Sequence, residues 1–198
     1  MFSFKLIYKV MLFAGLGVAC ITAILNYFFL PKLAEPRIQQ VKELANTTSI
    51  IASELAVSSF YEKNPERVIE ALKSSVRHIN ENEGFLQISV ILYPNGYYYA
   101  STNEEFIDKK VGLSLLKKIE ENESPNTEVE KLNYEFNNKT IPVLHFLRNI
   151  SIKQDDGEEK RVAVVQILFD YSEILNKTRK TLLIAAIAFL ACLFILTW

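Results

Sequence analysis

Two stretches of this chain carry no charge, and they bracket everything else. From Val10 to Leu30 and from Thr181 to Trp198 there is no Asp, Glu, Lys or Arg. Every acidic residue lies between the two runs, and so does every basic one except Lys5 and Lys9. As α-helices the runs span about 32 and 27 Å, close to the thickness of a bilayer's hydrocarbon core. The pattern predicts a tail (1–9), a first transmembrane helix (10–30), a polar domain (31–180) and a second transmembrane helix (181–198). A signal peptide is the alternative for the first run. Its apolar stretch is long for one, and Lys32-Leu33-Ala34 is a poor small-x-small cleavage site. A buried core helix is the alternative for the second, but that run has no polar face.

What lies between the runs narrows the function. The formal net charge is -1, without the basic excess that nucleic-acid binding needs. Cys20 and Cys192 both sit in the apolar runs, so the polar domain has no disulfide. His78 and His145 are too few to build a metal centre by themselves, and no metal is expected. There is no Gly-rich phosphate loop, no His-Glu-x-x-His helix and no Gly-x-Ser-x-Gly elbow. Neither a catalytic residue nor a cofactor is expected within the chain, and any catalytic output domain would lie beyond Trp198.

Periodicity lays out the polar domain. Ile38, Val41, Ala45, Thr48, Ala52 and Leu55 recur every three or four residues, which predicts a long helix over about Glu35–Tyr61 with a narrow apolar stripe. Such a stripe suits packing partly on a sheet and partly on a twin helix, as in a homodimer, or the simple amphipathic helix of a monomer. Asn64-Pro65 is a helix start, with Asn as N-cap and Pro in the first turn. Val68, Ile69, Leu72, Val76 and Ile79 give that second helix its buried face. Leu86, Ile88, Val90 and Leu92 then alternate with their neighbours as a half-buried strand. Pro94-Asn95-Gly96 supplies a turn, and Tyr97–Ser101 runs back. A charged connector follows, with a short helix around Leu113–Ile119. Three further strands are expected at 132–136, 141–153 and 161–169, and a helix at 170–180 leads into the second run. Tight turns give antiparallel pairing, and a sheet with its helices on one face is α+β.

The order strand, Asn-Gly turn, returning strand ending in Ala100-Ser101 and then Val111-Gly112 resembles the centre of a single Cache domain. These are the PAS-like extracytoplasmic sensor modules of bacterial two-span receptors. The resemblance implies a five-stranded antiparallel sheet in the order 2-1-5-4-3, backed by the long N-terminal helix. It also implies a domain outside the inner membrane, both termini in the cytoplasm, and small-molecule sensing passed across the bilayer to an output of the kinase, cyclase or chemoreceptor type. Positive charge does not mark that orientation. Lys32, Arg37, Lys177, Arg179 and Lys180 flank the runs on the domain side, though long loops cross largely regardless of charge. The other functional class open to the chain is a membrane-anchored scaffold or envelope-assembly protein that binds another protein.

Arg148 is the leading candidate for a ligand contact. It shares a strand face with Leu144, Phe146, Ile150 and Ile152, where a lone charge needs a partner. The carboxylate of a small anionic or polar solute would satisfy it, and so would an internal Asp or Glu. Tyr97, Tyr99 and Ser101 fall on one face of the returning strand by parity, with Tyr98 pointing the other way. They offer apolar walls and hydroxyls for a pocket, or ordinary core packing. Lys110 lies in the connector that covers pockets in Cache-like domains. His145, of opposite parity to Arg148, is expected to face outward.

Overall fold

A computed structural model describes residues 9, 12, 16, 25–62, 65–77, 84–122, 128–136, 139–153 and 157–197. The elements are α1 (Leu30–Glu62), α2 (Pro65–Arg77), β1 (Phe85–Leu92), β2 (Tyr98–Ser101), a 3-10 turn (Glu104–Phe106), α3 (Leu113–Glu121), β3 (Glu128–Phe136), β4 (Lys139–Lys153), β5 (Glu159–Asp170) and α4 (Tyr171–Thr197). A short π-helical stretch, Leu25–Phe29, precedes α1. The Asn64 cap and most of the first apolar run lie outside the described residues, as do the side chains of 186–198. Among the described residues no helix is long and apolar enough to cross a membrane.

The chain divides into two units, Gln39–Ile174 and the flanks Met1–Ile38 with Leu175–Trp198. In the first unit the five strands form one sheet in the order β2-β1-β5-β4-β3, antiparallel throughout. This is the order expected from the resemblance. Residues paired across an antiparallel ladder share a face, so the register sorts the side chains. Val90, Val165 and Arg148 stand in one row, and Ile88, Ile167 and Phe146 in the next. Helix α1 covers that face through Val41, Ala45, Ala52 and Ala56, all fully buried. Asn46 meets Arg148 and Ser59 meets Tyr99 across the contact. Val68 and Leu72 of α2 are buried, and the helix packs against β2.

The opposite face carries Ser89, Gln166 and Leu147 in one row, with Ile91, Val164 and Asn149 in another. Connector helix α3 packs here. Ile119, with Leu115 and Leu116, closes an apolar cluster on Ile91, Tyr98, Val111, Leu147 and Val164. Gly96 makes the close turn that brings the connector back. Its φ is +70°, and a Cβ there would lie 3.0 Å from Leu116 and 3.2 Å from Val111. Strand β5 passes directly into α4. Asp170 caps that helix, its carboxylate accepting from the N–H groups of Ser172 (2.8 Å) and Glu173 (3.1 Å).

In the flanking unit, Leu30, Ala34, Ile38 and Thr178 are buried. Arg37 donates to the Thr181 hydroxyl at 3.1 Å. Tyr27, Phe28, Phe29, Leu33, Leu183 and Ile184 are exposed.

Two differences from the sequence reading have simple causes. The long helix starts at Leu30, five residues before the expected start, and runs through Pro36; Pro31 sits in its first turn, where no intrahelical bond is lost, while Pro36 gives up a single one. Strand β3 begins at Glu128 rather than Leu132. Its first four residues, Glu-Val-Glu-Lys, are too charged to read as a strand, and β4 alone pairs with them.

Candidate functional site beneath the connector helix

A cavity of about 340 Å³ opens between the last turn of α3 and the edge of the sheet. It is lined by Lys118, Glu121 and Asn122 from the helix, Val129 and Glu130 from β3, and His145 and Leu147 from β4. The register explains the floor. Glu130 pairs with His145, and Glu128 with Leu147, so their side chains share the face that α3 covers. Lys118 and Glu130 form an ion pair across the mouth. Both are substantially exposed, so the pair adds well under about 1 kcal/mol to stability and can be exchanged for a ligand at little cost.

Underneath, His145 is only 3 % exposed, and its Nε2 lies 3.0 Å from the Gln166 side-chain nitrogen. Burial, then the Lys118 charge, pushes its pKa down to about 4, with Glu130 pulling the other way. His145 is therefore a neutral acceptor for the Gln166 amide. The expectation of an outward histidine fails because connector and sheet enclose this face as well as the one under α1.

The polarity continues along the sheet. Gln87, Ser89, Ser101 and Gln166 are all fully buried. Gln87 Nε2 donates to Ser89 Oγ (2.6 Å), and Ser89 Oγ contacts Ser101 Oγ (2.9 Å). Ser101 Oγ accepts the Asn103 N–H (3.1 Å). The side-chain oxygens of Gln87 and Gln166 have no hydrogen-bond partner. Turning the Gln166 amide would satisfy its oxygen and strand its nitrogen, so the Gln166 end of the row lacks one partner either way. Buried polar groups without partners are uncommon and costly.

The back of the site is held by Arg161 on β5. Its Nη1 donates to the carbonyl oxygens of Ile119 (2.9 Å) and Asn122, and its guanidinium stacks 3.9 Å from the Tyr93 ring centroid. Asn149 Nδ2 donates to the Asn122 carbonyl at 2.9 Å. A cation thus satisfies the open carbonyls at the helix C-terminus and fixes α3 over the sheet.

The sequence candidates do not converge. Ser101 belongs to the buried polar row. Arg148 lies on the other face, half-buried, donating to Asn46 Oδ1 at 3.2 Å. Tyr99 also turns to that face, bonded to Ser59 and 4.9 Å from the Phe60 ring centroid. Tyr97 and Lys110 are exposed and face each other in an isolated bridge. The parity expected for Tyr97, Tyr99 and Ser101 is broken by a bulge. Val90 pairs with Ala100 but Ile91 with Tyr98, so Tyr99 is the extra residue and Tyr98 joins the connector-side core. Sequence reasoning missed Lys118, Glu130, Gln166 and Arg161. Gln87, Ser89 and Gln166 could have been found as polar residues at strand positions that alternation leaves facing a covered surface. The contacts of α3 had no local signal.

No protein-family model matches the chain, and no curated protein matches it in sequence. Several solved structures are similar in shape. The periplasmic domain of Vibrio cholerae LuxQ is 14 % identical, with 79 % of this chain and 69 % of that one covered and a TM-score of 0.48. An extracellular ligand binding receptor from Desulfohalobium retbaense is 12 % identical over 77 % of this chain and 27 % of that one, also at 0.48. The PAS domain of Bordetella pertussis BvgS is 14 % identical over 57 % of this chain and 96 % of that one, at 0.34. The strand order β2-β1-β5-β4-β3 and the long helix on one face are this chain's own. The fold is α+β, with the sheet order and the helix-covered face that the resemblance to single Cache domains implies. In this sheet the cavity lies on the face away from α1, under the segment that joins β2 to β3.

Proposed function

We propose that this chain is the sensing portion of a bacterial transmembrane receptor, and that a small polar solute binds beneath α3. The observation that carries the reading is the cavity itself: a space of about 340 Å³ over a buried, neutral His145, with an exchangeable Lys118–Glu130 pair at its mouth. Lys118 would hold an anionic group of the solute, Glu130 or Glu121 a cationic one, and the Nδ1–H of His145 a hydrogen-bond acceptor. Ser101 belongs to the polar row on the same face. Tyr97 and Lys110 flank the connector and are assigned no contact with this solute.

Residues 31–180 would stand outside the inner membrane, with 10–30 and 181–198 crossing it and both termini in the cytoplasm. The uncharged runs support this, and so do the exposed Tyr27, Phe28 and Phe29; aromatic residues gather where lipid meets water. The twin of a homodimer would pack along α1 and the crossing helices. A solute that binds better to one placement of α3 shifts the domain toward it by that affinity difference alone. Strand β5 runs on through the Asp170 cap into α4, so the bias has a continuous route toward the second run.

The test is thermal unfolding of the full-length chain in detergent against a library of small polar solutes. Binding at about a hundredfold over Kd adds roughly 2.7 kcal/mol of stability. A stabilising solute should lose its effect in Lys118→Met and in Glu130→Gln. A folded chain that no solute stabilises would remove the reading.

A further inference from the structure

A second opening lies on the other face of the sheet, between α1 and β4. It measures about 450 Å³ and is lined by Ser53, Glu54, Val57 and Ser58 of the helix and by Arg148, Asn149, Ile150 and Ser151 of the strand. Arg148 stands in a row with Val165 and Val90 and between Phe146 and Ile150, so its surroundings on the sheet are apolar. Its recorded bond is to a neutral acceptor, Asn46 Oδ1. Glu54 faces the same opening from the helix. Among the described residues neither Arg148 nor Glu54 takes part in an ion pair, with each other or with anything else. A guanidinium and a carboxylate thus stand on opposite walls of one groove without meeting. Ser53 adds an acceptor only, because its hydroxyl already donates to the Ser49 carbonyl at 2.6 Å.

We infer that this groove is a binding site for a small zwitterion, which places its carboxylate on Arg148 and its cationic nitrogen on Glu54. Net charge decides the class. A simple carboxylate would satisfy the guanidinium fork but bring a second negative charge beside Glu54. A simple amine would do the reverse at Arg148. A molecule with both groups satisfies both walls, and groove volumes of this order admit metabolite-sized ligands. The site is separate from the cavity under α3. Its occupant touches α1 and β4 together, so it favours the arrangement of helix and strand in which both charges face the groove.

The test is titration calorimetry on the full-length chain in detergent. The probes are an ω-amino acid and a betaine, with a carboxylate lacking nitrogen and an amine lacking carboxylate as matched controls. At least one zwitterion should bind, and both controls should bind at least about tenfold more weakly. Arg148→Ala and Glu54→Gln should each weaken the zwitterion about tenfold or more. Arg148→Lys, which keeps the charge and protects the fold, should recover part of the loss. Lys118→Met, which alters the cavity under α3, should leave the zwitterion's affinity for this groove unchanged. Equal binding of the plain carboxylate, unaffected by Glu54→Gln, would overturn the inference. So would binding that survives Arg148→Ala but is lost in Lys118→Met; that result would put the ligand under α3 and leave the sensor reading standing. A folded chain that takes up neither zwitterion also overturns it.

Discussion

His145 and the polar row beside it set the chemistry of the connector-side face. The charged groups around the ring are Lys118 and Glu121 from α3 and Glu130 from β3. With a folded pKa near 4 against an ordinary 6.5, the unfolded chain takes up the proton first as pH falls. Stability contributed by neutral His145 is complete above about 6.5, declines through the window down to about 4, and changes no further below it. A separation of that size corresponds to about 3 kcal/mol. Denaturant unfolding at pH 7.5 and at pH 4 should show the wild type losing more stability than His145→Gln by roughly this amount. Equal slopes would mean that the ring is solvated. Gln87 and Ser101 should behave in opposite ways. Gln87→Met removes an orphaned buried oxygen together with one donor, so stability should hold within about 1 kcal/mol or rise. Ser101→Ala deprives the Asn103 N–H and the Ser89 hydroxyl of a partner and should cost about 1–2 kcal/mol.

Among the elements, α3 is held at its C-terminus by a side chain distant in sequence. Its C-terminal carbonyls are answered by Arg161, which comes from β5, forty-two positions away from Ile119. Arg161→Leu leaves the Ile119 carbonyl without this donor and loses the stacking on Tyr93. A loss of about 2 kcal/mol is expected, with faster amide exchange in 113–122 than in the strands. Uniform exchange across the domain would mean that α3 is held by Ile119 and its apolar neighbours alone. This is also where the sequence stops being legible. Alternation located Leu86–Leu92 because period 2 is a local property, and three-four spacing located the stripe on α1 for the same reason. The bulge at Tyr99 reverses a parity by inserting one residue, and nothing within β2 announces it; it is imposed by pairing with β1. Lys118 and Glu130 meet only because α3 lies across β3, a fact of tertiary packing. Arg148 was legible as a charge on an apolar face, while the Glu54 opposite it looked like any exposed helix residue.

At the scale of the whole molecule, the proposed arrangement of the chain about a membrane rests on where charge is absent. On that reading the uncharged runs at 10–30 and 181–198 would place everything between them on one side of a bilayer and both flanks on the other. Lysines and arginines do not choose the side, since Lys5 and Lys9 oppose Lys32, Arg37, Lys177, Arg179 and Lys180. The proposed function gives a reason to choose: a sensor of solutes in the outer medium would have to present the cavity under α3 to that medium. Two reporter fusions separate the alternatives in a bacterial host. A fluorescent protein that matures only in the cytoplasm, joined after Trp198, should be bright. Alkaline phosphatase, which needs oxidising conditions to form its disulfides, should be active when inserted at the exposed Gly157, just ahead of β5. The reverse pair of results would place the domain inside the cell, where the solute beneath α3 would have to be a cytoplasmic metabolite. Activity of phosphatase at both positions would mean that the chain crosses the membrane once.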